Sequence, residues 1–134
     1  MTDQPRKTIR VVAAVVERNG RYLITQRRAE AVLPNLWEFP GGRVEGNETD
    51  GEALVRELQH RLGANASPRE LISYVKYPYE KYTVELYLYA CDLDDVELAC
   101  SAVQDFRWVT SGEFDRFGFT PADEASMNAL LGEG

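Results

Sequence analysis

The hydrophobic residues of this chain follow two spacings, and each spacing predicts one type of secondary structure. Residues 9–17 form a run rich in valine and alanine, of strand length, which leads into Asn19-Gly20, a dipeptide typical of a tight hairpin turn. Residues 82–92 alternate with period two, which places Tyr87 and Tyr89 on the face opposite the aliphatic side chains. Further strands are predicted at residues 22–26, 71–79 and 106–109, with a short apolar segment at residues 36–39.

Leucines recur every four residues between positions 50 and 62, as they do in a helix that buries one stripe of its surface. They are Leu54, Leu58 and Leu62. Thr49 or Asp50 can cap the start of this helix, and Gly63 can take the left-handed conformation that ends it. The segment is therefore predicted to be the central helix of the fold.

The predicted elements include more strands than helices. The last element is a helix at residues 121–131, with Thr120 as its cap and Pro121 in its first turn. Because the central helix lies between pairs of strands, we expect a sandwich of the α/β or α+β class with a mixed sheet. Residues 1–8 are polar and predicted to be flexible, and residues 9–134 are predicted to form a single domain.

A net charge of −7, from 15 basic and 22 acidic residues, narrows the range of partners. A nucleic-acid or anionic-membrane surface needs clustered lysine and arginine, so we expect neither partner, whereas a small anionic ligand can bind through local charge. Two cysteines, Cys91 and Cys100, are too few for a disulfide scaffold, and the sequence has no run of about 18 apolar residues. We therefore expect a cytoplasmic protein, either a monomer or a homodimer.

The face of the central helix opposite the leucine stripe carries three residues with charged or polar functional groups. Glu57, His60 and Arg61 are three and four positions apart, so they share this face, which we expect to be exposed to solvent. Three carboxylates at these positions would form an oxygen cage suited to Mg²⁺. Only Glu57 is a carboxylate here.

The segment GGRVEGNETDGEALVRELQHRLGA resembles the signature of the Nudix hydrolases, especially the MutT-type nucleoside triphosphate pyrophosphohydrolases. That signature is glycine, five residues, glutamate, seven residues, arginine-glutamate, an aliphatic residue, any residue, two glutamates, any residue, glycine and an aliphatic residue. The matching positions are Gly42, Glu48, Arg56, Glu57, Leu58 and Gly63. His60 and Arg61 stand where the paired glutamates belong, so this Nudix box is degenerate.

The resemblance extends over residues 9–131, since ITQRR, LWEFPGG, RWV and TPAD also look like parts of a MutT-type domain. It implies a Nudix α/β/α sandwich with a mixed β-sheet between helices.

The resemblance also implies roles for residues of the Nudix box. Glu57, Glu48 and Arg56 would be catalytic, and Glu57 and Glu48, with Glu45 nearby, would ligate the metal. Family enzymes use Mg²⁺ or Mn²⁺ to neutralise polyphosphate and activate water. The family often has a further metal-binding glutamate six residues before the tryptophan of RWV, and this chain has Ala102 at that position. With these carboxylates missing, we expect the metal site to be weak or unoccupied. The protein would need Mg²⁺ or Mn²⁺ if it is active, and no cofactor if it is not.

Five residues are candidates for substrate binding. Arg27 is either a phosphate contact, as the resemblance implies, or a surface arginine. Gly41 and Gly42 allow a close approach of the backbone. The guanidinium of Arg61 offers forked donors that suit phosphate oxygens. Asp123 either accepts from an exocyclic amine of a base or complements the dipole of the last helix.

Three functions remain open from the sequence. The first is a protein that binds a nucleotide or another diphosphate ligand, with hydrolysis weak or absent because His60, Arg61 and Ala102 replace glutamates. The second is an active hydrolase that cleaves a nucleoside triphosphate to monophosphate and pyrophosphate, with Asp105 as one source of a missing carboxylate. The third is a non-catalytic interaction or regulatory module.

Overall fold

The computed structural model describes residues 7–130 of the chain. In chain order the elements are β1 (Lys7–Val15), β2 (Glu17–Arg18), β3 (Arg21–Gln26), β4 (Trp37–Glu38), β5 (Gly41–Arg43), α1 (Asp50–Leu62), β6 (Ala66–Pro78), β7 (Tyr82–Leu93), β8 (Asp105–Val109), a 3₁₀ helix (Ser111–Arg116) and α2 (Pro121–Leu130). Residues 1–6 of the predicted flexible segment, and Leu131 of the predicted last helix, lie outside the described residues. Within residues 7–130, no helix is long and apolar enough to cross a membrane.

The strands form two sheets. The first has the order β5-β1-β7-β6 and is mixed, because β1 runs parallel to β7 while the other pairs are antiparallel. The second is antiparallel and is centred on β3, which pairs with β2, β4 and β8. The predicted mixed sheet is confirmed, but the division of the strands between two sheets was not predicted.

The two helices cover opposite faces of the mixed sheet. Leu54 and Leu58 of α1 share one core cluster with Tyr87 of β7, whereas Met127 of α2 shares the other cluster with Leu88. Successive residues of a strand point to opposite faces, so β7 contributes to both clusters. The predicted α/β/α sandwich is therefore confirmed.

Local signals placed the ends of several elements. Asn19 and Gly20 have φ of 52° and 76°, as the tight hairpin turn between β2 and β3 requires. Thr49 and Glu52 form a reciprocal capping box at the start of α1, and Gly63 closes the helix with φ of 68°. These features fix the orientation of α1 relative to the loop that precedes it.

Two predicted strands had wrong boundaries. The strand predicted at residues 9–17 begins two residues earlier, at Lys7, within the segment predicted to be flexible; it breaks after Val15 and resumes in β2. The strand predicted to start at residue 71 begins at Ala66, and its pairing with β7 is irregular between Pro68 and Ser73. This irregularity disrupts the alternation of buried and exposed residues on which the prediction relied.

Candidate functional site

The candidate site is built where β5 contacts α1. A Cβ atom on Gly42 would lie 2.2 Å from Oε2 of Glu57, and a Cβ atom on Gly41 would lie 2.0 Å from the carbonyl oxygen of Val12. Both glycines are therefore required for this close packing. Glu57 is only 6% exposed, so the prediction that it lies on a solvent-exposed face is wrong: β5 covers that part of the helix.

Six charged side chains of alternating sign cross the site, and we call them the charge ladder. In spatial order they are Glu48, Arg56, Glu57, Arg61, Glu38 and Arg27. Each carboxylate in the interior of the ladder contacts an arginine on either side. The ladder thus joins the Nudix box to the loop after β3 and to β4.

The first part of the ladder is held by Arg56. Its Nε atom lies 2.6 Å from Oε2 of Glu48, its Nη2 atom donates to the carbonyl oxygen of Arg43 at 2.8 Å, and its Nη1 atom lies 3.5 Å from Oε2 of Glu57. Hydrogen bonds from Arg56 and from the backbone N–H of Glu45 lower the pKa of Glu48. Glu48 is therefore an ionised partner of Arg56.

The second part of the ladder is held by Arg61. Its Nε atom donates to Oε1 of Glu57 at 3.2 Å, and its Nη1 atom lies 3.7 Å from Oε2 of Glu38. Arg27 contacts the same Glu38 carboxylate at 3.1 Å and donates from Nε to the carbonyl oxygen of Val32 at 2.6 Å. The pKa of Glu38 is raised, because the effect of burial is larger than the opposing effect of the positive charges of Arg27 and Arg61.

Glu38 was not predicted to be a functional residue. It lies in LWEFPGG between Trp37 and Phe39, and a lone carboxylate within an apolar segment is the one local signal that marked it. Its partners, Arg27 and Arg61, come from distant parts of the chain.

Two cavities meet at the ladder. The first, of about 500 Å³, has a mainly aliphatic and aromatic lining that includes Val84, Leu86 and Phe39. The second, of about 390 Å³, is an arginine-rich cleft. The residues lining this cleft are Arg27, Arg28, Ala31, Glu45, Arg56, Glu57, His60, Arg61 and Ala102. Arg27 and Arg61 line both cavities, so the apolar pocket opens onto the cleft through these two side chains.

Asp123 lies in the wall of the apolar pocket and is 6% exposed. Its carboxyl group accepts the backbone N–H of Phe39 at 3.0 Å and the hydroxyl of Thr120. Burial, together with the negative charge of Glu38, raises the pKa of Asp123 to about 7. Its contact with Thr120 is that of a carboxyl group in the first turn of α2, and its place in the pocket wall is that expected for a base contact.

The residues of the cleft do not fit a divalent cation. Within residues 7–130, no group of three or more histidine, cysteine, aspartate or glutamate side chains is arranged to hold a metal ion. Glu57 is held by two arginines, and Arg61 and Ala102 supply no carboxylate. Asp105, a suggested replacement, instead lies 2.6 Å from Nη1 of Arg107. Mg²⁺ prefers carboxylate and water oxygens, and a neighbouring guanidinium repels it.

Comparison with known proteins gives consistent results. The family model described as NUDIX domain matches residues 11–129. The chain is 35% identical over 127 residues to a CTP pyrophosphohydrolase of Escherichia coli K12, covering 93% of each chain. It is 28% identical over 125 residues to an 8-oxo-dGTP diphosphatase of the same organism, covering 92% of this chain and 97% of that protein.

Solved structures agree with these sequence matches. The solution structure of the Escherichia coli ORF135 protein superposes with a TM-score of 0.83 at 33% identity, covering 95% of this chain and 91% of that one. The MutT protein of Methanosarcina mazei Go1 superposes with a TM-score of 0.84 at 17% identity, covering 97% and 98%, which supports the fold alone. Family model, relatives and fold together establish that this chain belongs to the Nudix family, among its MutT-like members.

Proposed function

We propose that this chain binds a nucleotide or another diphosphate ligand, and that its magnesium-dependent hydrolysis is weak or absent. The observation that carries the second part is the contact between Nε of Arg61 and Oε1 of Glu57 at 3.2 Å. Nudix hydrolases generally use divalent metals such as Mg²⁺. Here a guanidinium stands beside the carboxylate that such an ion would need.

The binding part of the proposal rests on the two cavities that meet at Arg27 and Arg61. An apolar pocket suits a base, and guanidinium groups suit phosphate oxygens. In this arrangement the base lies near Asp123 in the apolar pocket, and the phosphates lie past the two arginines in the arginine-rich cleft. Asp123 would accept from an exocyclic amine when ionised and donate to a ring acceptor when protonated.

The alternative is an active hydrolase, which the 35% identity to a CTP pyrophosphohydrolase favours. In that case Glu57, Glu48 and Arg56 would carry catalysis, with Glu45 completing the ligand set. Glu45 lines the cleft and is exposed, so it is free to turn towards an ion.

Turnover measurements separate these two functions. A panel of nucleoside triphosphates that includes CTP and 8-oxo-dGTP is incubated with Mg²⁺ or Mn²⁺, and pyrophosphate release is measured. We expect rates far below the enzyme median of about 10 s⁻¹. Turnover near that value, abolished by Glu57→Gln and retained by the exposed control Glu97→Gln, would contradict the proposal.

Binding is tested independently by thermal denaturation with the same panel. A ligand present at about 100 times its Kd stabilises the folded state by about 2.7 kcal/mol, so a raised Tm is expected for at least one nucleotide. No shift with any nucleotide would contradict nucleotide binding and favour the interaction module.

A further inference from the structure

We propose that the arginine-rich cleft binds the phosphate chain of its ligand directly, through Arg61 and Arg27, and that Mg²⁺ weakens this binding. The inference rests on the proposed function, because it names how the same site holds its ligand. On this inference, the ligand binds as a polyphosphate anion without a metal ion.

The first support is the charge balance of the ladder. Its three glutamates are matched by three arginines, although the chain as a whole carries a net charge of −7. A cleft with several unpaired carboxylates repels phosphate until a divalent cation neutralises it. Here the neutralising charges are part of the protein, so a phosphate chain meets no such repulsion.

The second support is the number of donors that remain for a ligand. The contacts of Arg61 with Glu57 and Glu38 engage Nε and Nη1, and a guanidinium has five N–H groups in all. Arg27 likewise uses Nε for the carbonyl oxygen of Val32 and Nη1 for Glu38. N–H groups of both arginines are therefore left for phosphate oxygens, in the forked geometry that favours such contacts.

The third support is the presence of further N–H donors along the cleft. Arg28 lines it, anchored by a 2.8 Å hydrogen bond from Nη2 to the carbonyl oxygen of Ser101. His60 lines it where the family has a glutamate, and its side chain is exposed. A phosphate chain that starts between Arg27 and Arg61 would continue towards these two residues.

The effect of Mg²⁺ follows from competition for the same oxygens. An ion chelated by the phosphates lowers their negative charge and approaches the guanidinium of Arg61. Two carboxylates line the cleft, and Glu57 already contacts Arg56 and Arg61, so Glu45 alone is left to offset this cost.

The test is titration calorimetry with inorganic pyrophosphate, a probe that does not depend on base preference. We expect binding in EDTA, weakened about tenfold or more by excess Mg²⁺. Arg61→Gln should weaken the EDTA affinity about 10- to 100-fold, as expected for loss of a charge-assisted contact. The control Arg116→Gln, at a side chain that is 73% exposed, should leave it unchanged.

Arg28→Gln provides a second variant in case removal of Arg61 destabilises the ladder, because Arg28 is exposed and lies outside the ladder. We expect it to weaken pyrophosphate binding about threefold to tenfold. Pyrophosphate binding that requires Mg²⁺, or an affinity unchanged in both Arg61→Gln and Arg28→Gln, would overturn the inference.

The outcomes also separate this inference from the proposed function. Metal-free pyrophosphate binding together with rapid Mg²⁺-dependent nucleotide turnover would support the inference and refute the weak-hydrolysis proposal. Pyrophosphate binding that requires Mg²⁺, together with no nucleotide turnover, would refute the inference and support the weak-hydrolysis proposal.

Discussion

Restoring the missing carboxylates should create a magnesium site in the arginine-rich cleft. The variant combines His60→Glu, Arg61→Glu and Ala102→Glu. All three positions line the same cleft as Glu57 and Glu45, so the new carboxylates would face one glutamate expected from the family's ligand set, Glu57, and the nearby Glu45. Replacing Arg61 also removes the guanidinium that contacts Glu57 at 3.2 Å, which leaves Arg56 as the arginine beside that carboxylate.

The size of the effect follows from the charge change at position 61. At an effective dielectric constant of about 20, two unit charges roughly 6 Å apart interact by about 3 kcal/mol. Exchanging +1 for −1 beside a divalent ion therefore changes the interaction by roughly 10 kcal/mol before relaxation and screening. The Arg61 side chain is 24% exposed, so water screens much of this. If about a quarter of this interaction energy remains after screening, Mg²⁺ affinity rises about 100-fold.

The assay is titration calorimetry of Mg²⁺ into the triple variant and into a charge-matched control. Lys76→Glu combined with Arg116→Glu changes the net charge equally, by −4, at exposed positions away from the cleft. We expect tight binding in the triple variant alone. Equal Mg²⁺ affinity in the two proteins would show that the site is misplaced.

Three further changes test other parts of the structure. Gly42→Ala should cost about 1–3 kcal/mol in urea denaturation, because its Cβ would lie 2.2 Å from Glu57, whereas Gly112→Ala, with no contact nearer than 4.0 Å, should not. Thr49→Ala should cost about 1 kcal/mol by loss of the α1 cap, and Thr49→Ser should recover most of it; no loss would argue against the capping box. Asp123 has its pKa raised to about 7, so the folded state keeps a proton that the unfolded state releases above about pH 4. The free energy of unfolding should thus fall by about 1.4 kcal/mol per pH unit between about pH 5 and 6, with about half that slope at pH 7, and this loss should be absent in Asp123→Asn. Parallel pH profiles would refute the raised pKa.

Elements with local signals could be predicted from the sequence. The Asn19-Gly20 turn, the Thr49 cap and the Gly63 terminus each depend on conformational preferences of residues adjacent in the chain, and all three were confirmed. The irregular start of β6 could not be predicted, because it depends on pairing with β7. The division into two sheets also depends on pairing, since β8 joins β3 from a segment far along the chain.

Part of the candidate site could also be predicted from the sequence, and part could not. The spacing of the Nudix box identified Gly42, Glu48 and Glu57, which the structure brings together around Arg56. Burial of Glu57 was not predicted, because an amphipathic pattern assigns a carboxylate to the solvent face unless another element covers it. The role of Glu38 is visible only when the fold places it between two arginines.

The arginine at position 61 stands where the family signature has a glutamate, and its positive charge stabilises the two carboxylates beside it. Glu57 is 6% exposed and Glu38 is held largely out of solvent, and buried carboxylates without a counter-charge are costly. A neutral residue at position 61 would leave both with fewer positive neighbours, whereas arginine contacts each of them. On the proposed function, loss of the metal ion and gain of the guanidinium are physically coupled, because Arg61 supplies Glu57 and Glu38 with a positive charge that is part of the chain. A residue that satisfies Glu57 in this way also competes with any divalent ion for the same oxygens.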